Sequence, residues 1–410
     1  MAIVPVVIEQ HAEEAAFLWL LRDHAVGAPH YKPIDLKRLD NRVEAHIDGL
    51  RIAGDAGWDI VWKQAEDRPE PGELFAAGVL AFENGDAKRI EKVLTLAATK
   101  PELGRSVVSA TGWLPDAVAL TRMRSLLTHA LPAVRGIGLA AHAIRRLNPD
   151  TALEKALNDP DLGLRARALK LVGEMGYGFW LPLLKKHFTN ADLSCRFQAA
   201  WSAARIAKDP SAIAELQTIA LTESRYRYRS VEMVAHCLDV PAAQKWLTML
   251  TTLPGNERLA IHGMAALGDP IFVPRLLEWM KQPPLMRAAG EAFTFITGAH
   301  PADLDLEGDR PEGYEPGPTE NPLDEDVSMD PDEGLPWPDA AKIESWWKAN
   351  QGRFAKGTRH LLGKPLTIEW LLEVIAKERQ RCRLTAALAL AIRQPKEPLV
   401  ELRVVHCGPQ

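Results

Sequence analysis

Seven arginines recur along the chain at nearly constant spacing, and this period constrains the fold more than any other feature of the sequence. The gaps between them are 30, 30, 31, 33, 29 and 29 residues, and the positions are Arg105, Arg135, Arg165, Arg196, Arg229, Arg258 and Arg287. Each arginine opens an apolar run with helical periodicity, such as RSVVSATGWL or RFQAAWSAARI. A period of about 30 residues with two helices per repeat is typical of an α-solenoid. The sequence therefore predicts an all-α array of stacked helix pairs.

The composition fits such an array and limits the functional classes. The chain has 410 residues, 47% of them hydrophobic, and a net charge of −5, which gives no sign of a nucleic-acid binder. The four cysteines are scattered without a paired spacing, which indicates reduced thiols. No apolar run approaches the roughly 20 residues of a membrane span. We therefore expect a cytoplasmic protein without a membrane contact.

Four segments follow from the distribution of helical patterns and breaks. They are an N-terminal helical cap (1–70), a repeat array (71–298), an acidic loop rich in proline and glycine (299–338), and a C-terminal helical repeat with a final strand (339–410). Within the cap, apolar spacing predicts helices over 9–26 and 36–53. Residues 3–8 and 398–407 alternate or lack helical spacing, so both predict short extended segments.

Residues 301–338, which we call the acidic strap, interrupt the array. The strap contains thirteen acidic residues, one base, eight prolines and four glycines. Its net charge is therefore −12, so the chain total of −5 leaves +7 for the remaining residues. Such a composition cannot bury enough apolar surface to order itself. The sequence predicts a long loop, either draped over a basic surface or acting as an autoinhibitory mimic of a partner.

The repeated arginines, which we call the arginine ladder, have two interpretations. Each lies in the first turn of the second helix of its repeat, where helices normally favour acidic residues. The favoured interpretation is structural: each guanidinium bonds loop carbonyls or turn carboxylates, with Asp159, Asp161, Asp192 and Glu257 close by in sequence. The alternative is a basic stripe that attracts an acidic ligand. The two roles are compatible.

Two further features are candidate partner-binding residues. Arg225, Tyr226, Arg227 and Tyr228 alternate base and aromatic ring, leading into Arg229 of the ladder. Intramolecular pairing is the favoured interpretation, while a protein partner or a nucleic acid stacked on the tyrosines stays open. Trp337, at the end of the acidic strap, either fixes the strap to the array or is exposed as an anchor for a partner.

No catalytic, cofactor-binding or metal-binding residue is predicted. Asp303, Asp305 and Glu307 resemble the opening of a calcium loop, but Tyr314 stands where the bidentate glutamate belongs. The sequence contains no Walker loop, GxGxxG fingerprint, HExxH or GxSxG motif. We therefore predict a protein that is not an enzyme and needs no cofactor.

The turn-plus-arginine repeats resemble HEAT-like repeats. The segments QHAEEAAFLW (10–19), LDNRVEAHIDGLRIAGDAGW (39–58), AFTFITG (292–298) and GLPWP with the later WW (334–347) resemble an uncharacterised bacterial family often encoded in type VI secretion loci. The resemblance implies a role beside a secreted toxin, with a secreted effector, a spike-tip protein or a loading protein as partner. It carries no catalytic residues.

These observations favour a non-enzymatic protein-binding scaffold, an accessory or adaptor protein of type VI secretion. An immunity protein that neutralises a toxin is one alternative. The other is an enzyme resembling the HEAT-like DNA glycosylases, which would need a strongly basic binding face and an acidic residue among aromatic rings. A body of +7 with a strap of −12 makes nucleic acid the less favoured partner. The sequence leaves the oligomeric state open.

Overall fold

The computed structural model describes residues 4–318, 325 and 327–403. In these residues the chain is an all-α solenoid, which confirms the predicted fold class. Successive helix pairs pack on their neighbours, as the arginine period requires.

The helices of the described residues have the following bounds: α1 Pro5–Ala25, α2 Pro33–Ala53, α3 Asp55–Asp67, α4 Pro71–Asn84, α5 Ala87–Ala97, α6 Pro101–Trp113, α7 Asp116–Leu126, α8 Pro132–Ile144, α9 Thr151–Leu157, α10 Leu162–Met175, α11 Leu181–Lys186, α12 Leu193–Ala207, α13 Pro210–Ala220, α14 Arg227–Cys237, α15 Val240–Leu250, α16 Glu257–Leu267, α17 Val273–Trp279, α18 Pro283–Thr297, α19 Ala340–Asn350, α20 Ile368–Lys377 and α21 Gln380–Arg393. Two short strands, β1 His360–Leu361 and β2 Lys364–Pro365, form an antiparallel hairpin.

The described chain forms two compact units. Unit 1 contains the residues up to 202 together with 379–381 and 395–403, and unit 2 contains 203–378 and 382–394 without the undescribed positions. The four segments predicted from the sequence are defined by composition, whereas the two units are defined by packing. The division into four segments therefore stays a prediction.

Helix α4 is the centre of the core at the start of unit 1. It packs against α1, α3, α5 and α6, and every residue from Leu74 to Phe82 is buried. Phe75 stacks on Trp19 of α1, with ring centroids 4.9 Å apart. Gly72 lies so close to α1 that a Cβ would stand 2.6 Å from the Ala16 carbonyl oxygen. The absence of a side chain at position 72 therefore allows α1 and α4 to meet.

The second helices of the repeats form the spine of each unit. In unit 1, α4, α6, α8 and α10 pack in that order. In unit 2, α14, α16 and α18 do the same, and α13, α15 and α17 each cover the second helix of their own pair. Burial of these apolar helix faces supplies the main stabilisation, at about 25 cal/mol per Å².

Aspartate forms a second periodic series, which the arginine period alone does not reveal. Asp209, Asp239 and Asp269 stand 30 residues apart, each one residue before a helix or helical turn. Each carboxylate accepts hydrogen bonds from backbone N–H groups of the following turn, for example Asp239 from Ala242 at 2.8 Å. Such caps satisfy N–H groups that have no partner within the helix. Arginine thus marks the second helix of a pair and aspartate the first.

The β1–β2 hairpin, which the sequence analysis did not predict, covers the ends of two helices in unit 2. The His360 N–H donates to the Gly268 carbonyl oxygen at 2.8 Å, and the Leu362 N–H donates to that of Phe295 at 2.6 Å. Gly268 and Gly298 both have positive φ, and a Cβ at either would stand within 2.7 Å of a hairpin carbonyl oxygen. The hairpin therefore depends on glycine at both helix ends.

The N-terminal extended segment was wrong where the structure describes it, and the C-terminal segment pairs with no strand there. Helix α1 already begins at Pro5, because proline is accepted in the first turn of a helix, where its missing N–H has no partner to lose. Residues 398–403 pair with no strand in the described chain and lie instead against α10, with the Leu399 N–H donating to the Glu174 carbonyl oxygen at 2.7 Å. The rest of the predicted final strand, 404–407, lies outside the described residues.

Candidate partner-binding surface

The ladder arginines of unit 1 bond the turns around them. Arg165 donates from Nε and Nη2 to the Asp159 carbonyl oxygen at 2.9 and 2.6 Å. Arg135 donates to the Asp159 carboxylate at 2.8 Å and to the Ala130 carbonyl oxygen at 2.9 Å, and Arg196 donates to the Asn190 carbonyl oxygen at 2.9 Å. These acceptors are the loop carbonyls and the turn carboxylate that the structural interpretation of the ladder requires.

Arg105 departs from this pattern within unit 1. Its side chain is 56% exposed and donates to Asp23 of α1 at 2.6 Å, 82 residues away in sequence. Asp161 and Asp192, which the sequence analysis offered as arginine partners, accept instead from the backbone N–H groups of Leu164 and Cys195. Their carboxylates therefore act as helix caps.

In unit 2 the acidic strap supplies the acceptors for two successive ladder arginines. Arg287 donates from both terminal nitrogens to the Asp330 carboxylate at 2.8 and 2.6 Å and also bonds the Asp332 carbonyl oxygen at 3.0 Å. Arg258 donates to both carboxylate oxygens of Asp332, one at 3.0 Å. Arg287 and Asp332 are both buried. We call Arg258, Arg287, Asp330, Asp332 and Trp337 the strap clasp.

Trp337 holds the strap in this clasp. The Arg287 guanidinium lies 4.2 Å from the centroid of the indole ring, a cation–π contact, and Tyr314 meets the ring edge-on at 6.1 Å. The next residue, Pro338, lies against Gly290 of α18, where a Cβ would stand 3.1 Å from its ring. These contacts are those of a residue that fixes the strap to the array. Fixing the strap is the first of the two roles proposed above for Trp337, and an exposed anchor is the second.

A second set of contacts closes the base of the strap. The Gly308 N–H donates to the Trp337 carbonyl oxygen at 2.9 Å, and the Asp339 N–H donates to that of Leu306 at 2.8 Å. The strap is therefore attached at its base and again at 330–332. Its own composition predicts no order, and the arginine ladder supplies the missing interactions.

The clasp keeps the Asp330 carboxyl ionised. Partial burial opposes its ionisation, but the hydrogen bonds from Arg287 and from the Asp332 N–H outweigh that effect, so the pKa of Asp330 lies below its usual value. A bidentate pair with arginine is among the strong hydrogen-bonding arrangements of a carboxylate.

Between the two attachments, the strap exposes apolar side chains among acidic ones. Val327 is 77% exposed and Met329 is 67% exposed, immediately before the clasp residue Asp330. Glu325, Glu312 and Glu315 are also exposed. This part of the strap thus offers carboxylates for a basic surface and two apolar side chains for a pocket.

The base–aromatic segment at the start of α14, residues 225–228, pairs mainly within unit 2. Tyr226 is buried and accepts from Arg225 at 2.7 Å, while Arg227 bonds Glu223 and donates to Asn256 at 2.8 Å. Tyr228 is the exception, since it is 43% exposed and meets His262 edge-on at 5.6 Å. Intramolecular pairing thus accounts for Arg225, Tyr226 and Arg227, and Tyr228 is the one ring with a substantial exposed face.

One face of α14 also carries titratable groups, of which only Tyr228 was a candidate from the sequence. Tyr228, Glu232 and His236 follow each other at four-residue spacing. Burial raises the pKa of Glu232 to about 7, although the neighbouring Arg229 charge opposes the shift. Burial, with the charges of Arg359 and Arg393, lowers the pKa of His236 to about 3. The pKa shifts of Glu232 and His236 arise from the packing of the folded chain and are not visible in the sequence.

Comparison with known proteins supports the repeat assignment. A family profile of HEAT repeats matches residues 150–235. This stretch contains Arg165, Arg196 and Arg229 of the ladder and runs from just before α9 almost to the end of α14. No curated protein matches the chain. In the described residues, no helix has the length and apolar content that crossing a membrane requires.

Proposed function

We propose that this chain is a non-enzymatic scaffold that binds another protein. HEAT repeats commonly serve as protein-interaction scaffolds, and their stacked helices offer a long surface for a large partner. The observation that carries the proposal is the strap clasp, which fixes residues 330–332 and leaves Val327 and Met329 exposed beside it. A segment held in place before binding loses less conformational entropy on association.

The finer proposal is an accessory or adaptor role in type VI secretion, with a secreted effector, a spike-tip protein or a loading protein as the partner. Its support is the resemblance of residues 10–19, 39–58, 292–298 and 334–347 to a bacterial family encoded in such loci. An immunity protein would use the same surface, and its partner would be the toxin itself. Protection of a toxin-expressing cell distinguishes the two roles.

The test is affinity capture of the full chain from its native cells, with Val327→Asp as the variant and Ile52→Asp as the matched control. Ile52 is also 77% exposed and lies on α2 in unit 1. We expect the wild type and the control to capture a secretion protein, and Val327→Asp to lose it. Capture of metabolic enzymes, or a set of captured proteins that Val327→Asp leaves unchanged, would contradict the proposal.

The second candidate function is an enzyme of the DNA-glycosylase type, and the face of α14 is the observation in its favour. Glu232 is an acidic group with a pKa of about 7, four residues from Tyr228 and from His236. A pKa near neutrality suits a general acid or base. A base-excision activity that the wild type shows and Glu232→Gln loses would support this candidate. The absence of that activity from the wild type would exclude the candidate.

A further inference from the structure

A pair of histidines joins α1 to α2 within unit 1. The Nδ1 atoms of His11 and His46 lie 3.2 Å apart, and the two rings meet edge-on with their centroids 5.2 Å apart. Both side chains are half-buried. The His11 ring lies over Gly49 of α2, where a Cβ would stand 2.7 Å from its Nε2 atom. The pair therefore occupies the space between the two helices, and its hydrogen bond depends on their packing.

The short distance limits how many protons the histidine pair can hold. Two facing ring nitrogens form a hydrogen bond only when one carries a proton and the other has a free lone pair. A neutral pair meets this condition, and so does a pair with a single positive charge. When both rings are protonated, each Nδ1 carries a hydrogen, so the hydrogen bond is lost and two like charges repel at close range. The pair therefore binds its second proton more weakly than its first.

The surroundings of the pair also oppose a second charge. Burial, the charge of His11 and the charge of Arg42 on α2 lower the pKa of His46, and Glu14 on α1 offsets this only in part. Helices α3 and α4 also pack on α1, and neither contributes a charged group to His46 among the described residues. An unfolded chain takes up both protons as the pH falls through about 6.5, whereas the folded chain resists the second. Acidification below that value therefore destabilises the packing of α1 on α2.

A second polar contact between α1 and α2 has the opposite dependence on pH. Nε of Arg22 donates to the Asp40 carboxylate at 2.7 Å. Burial raises the pKa of Asp40, so the folded chain binds this proton more tightly than the unfolded chain does. Of these two contacts, the histidine pair is thus the one that makes the helix packing sensitive to acid.

The turn between α1 and α2 holds a part of the chain that is distant in sequence. The Gln380 N–H donates to the Tyr31 carbonyl oxygen at 2.8 Å, and Nε of Arg381 donates to the Gly27 carbonyl oxygen at 2.8 Å. Residues 379–381 belong to unit 1 together with α1 and α2. Because both acceptors are backbone carbonyls of the turn, these bonds depend on the two helices keeping their positions.

We propose that the His11–His46 pair is a pH switch, which loosens α1 from α2 and weakens the attachment of residues 379–381 when the pH falls below about 6. Above about pH 7 the pair is a neutral hydrogen bond, and the two helices stay packed. Histidine is the side chain that changes its charge in this range, so the switch responds to mild acid. It is independent of the proposed scaffold function.

The test measures hydrogen-exchange protection factors of the full chain at about pH 7.5 and about pH 5, corrected for the intrinsic pH dependence of exchange. In the wild type we expect protection in α1, in α2 and at Gln380 to fall about tenfold or more at the lower pH, because opening relieves the repulsion. His46→Gln keeps a hydrogen-bonding group beside His11 and takes up no proton, so its protection should change less than about threefold. His24→Gln is the matched control, since His24 lies exposed on α1, and it should respond as the wild type does.

A titration of the wild-type chain covers the case in which His46→Gln fails to fold. The ring protons of His11 and His46, followed by NMR, should titrate as a coupled pair in two steps, the second at a lower pH than the single step of His24. Independent titration of both rings at the pH of His24 would overturn the inference. An equal loss of protection in the wild type and in folded His46→Gln, or no loss in the wild type, would do the same.

Discussion

Arg165 is the residue on which the structural interpretation of the ladder is most directly tested. Its two hydrogen bonds to the Asp159 carbonyl oxygen join the start of α10 to the preceding turn. We expect Arg165→Ala to lower the free energy of unfolding by about 1–3 kcal/mol, because an acceptor is left with poorer partners. Arg38→Ala is the control, since Arg38 is 73% exposed, and it should change stability by less than about 0.5 kcal/mol. Urea denaturation measures both.

If Arg165→Ala left stability unchanged and abolished partner binding, the binding interpretation of the ladder would be favoured over the structural one. The ladder would then be a binding surface rather than an assembly device. Arg196→Ala provides an independent repeat of the experiment, since Arg196 bonds the Asn190 carbonyl oxygen of its own turn.

Glu232 gives a prediction about pH. Its pKa of about 7 in the folded chain lies above the value of about 4.3 in an unfolded chain. The folded state therefore holds the proton more tightly, and this stabilisation is complete below about pH 4 and lost as the pH rises through 7. We expect Glu232→Gln, which stays neutral, to be more stable than the wild type by about 1–3 kcal/mol at pH 8 and nearly equal to it at about pH 3.5. Denaturation midpoints at the two pH values test this, and an equal difference at both would contradict it.

At the scale of the element, the acidic strap should depend on ionised aspartates. The pKa of Asp330 is below its usual value, so its stabilising pair with Arg287 is complete above about pH 4 and is lost as the pH falls below that. We expect Asp330→Asn to release the strap at neutral pH and to make residues 309–329 several-fold more susceptible to proteolysis. Asp305→Asn is the control, because Asp305 lies in the same strap and is fully exposed. Equal rates of cleavage in the two variants would contradict the claim that the Asp330–Arg287 pair holds the strap in place.

The helices were largely predictable, whereas the contacts of the strap were not. Apolar spacing located α1 and α2 to within four residues at each end, because helical periodicity is a local signal. The clasp joins Arg258 to Asp332 over 74 residues, and no local pattern identifies that pair. The acidic composition of the strap indicated the carboxylates, and the period of the ladder indicated the arginines. Neither pattern showed that these residues pair with each other.

The two terminal segments show where local patterns mislead. IVPVVI at 3–8 has strand-forming residues, yet a proline in the first turn and the buried Ile8 favour the helix that packs on α4. The alternation at 398–402 predicted a strand, but these residues lie against the end of α10 rather than in a sheet, and only Leu402 among them is buried. An alternating sequence predicts an extended chain and does not identify its partner.

For the whole molecule, the distribution of charge predicts no tight binding to DNA. The strap carries −12 and the remainder +7, and Arg258 and Arg287 are already paired with strap aspartates. Binding to DNA at physiological salt depends on many phosphate contacts by unpaired basic side chains. We expect no gel shift of duplex DNA at about 1 μM protein in roughly 150 mM salt, a concentration at the tight end of the typical range of non-specific Kd values. Replacing residues 309–329, which hold seven of the thirteen strap acids, by a short glycine–serine linker leaves the clasp in place. This variant tests whether that part of the strap is responsible, since only the variant should then bind. A tight shift by the wild-type chain, lost in a variant with Arg359→Ala and Arg393→Ala beside His236, would instead favour the enzyme that the α14 face suggests.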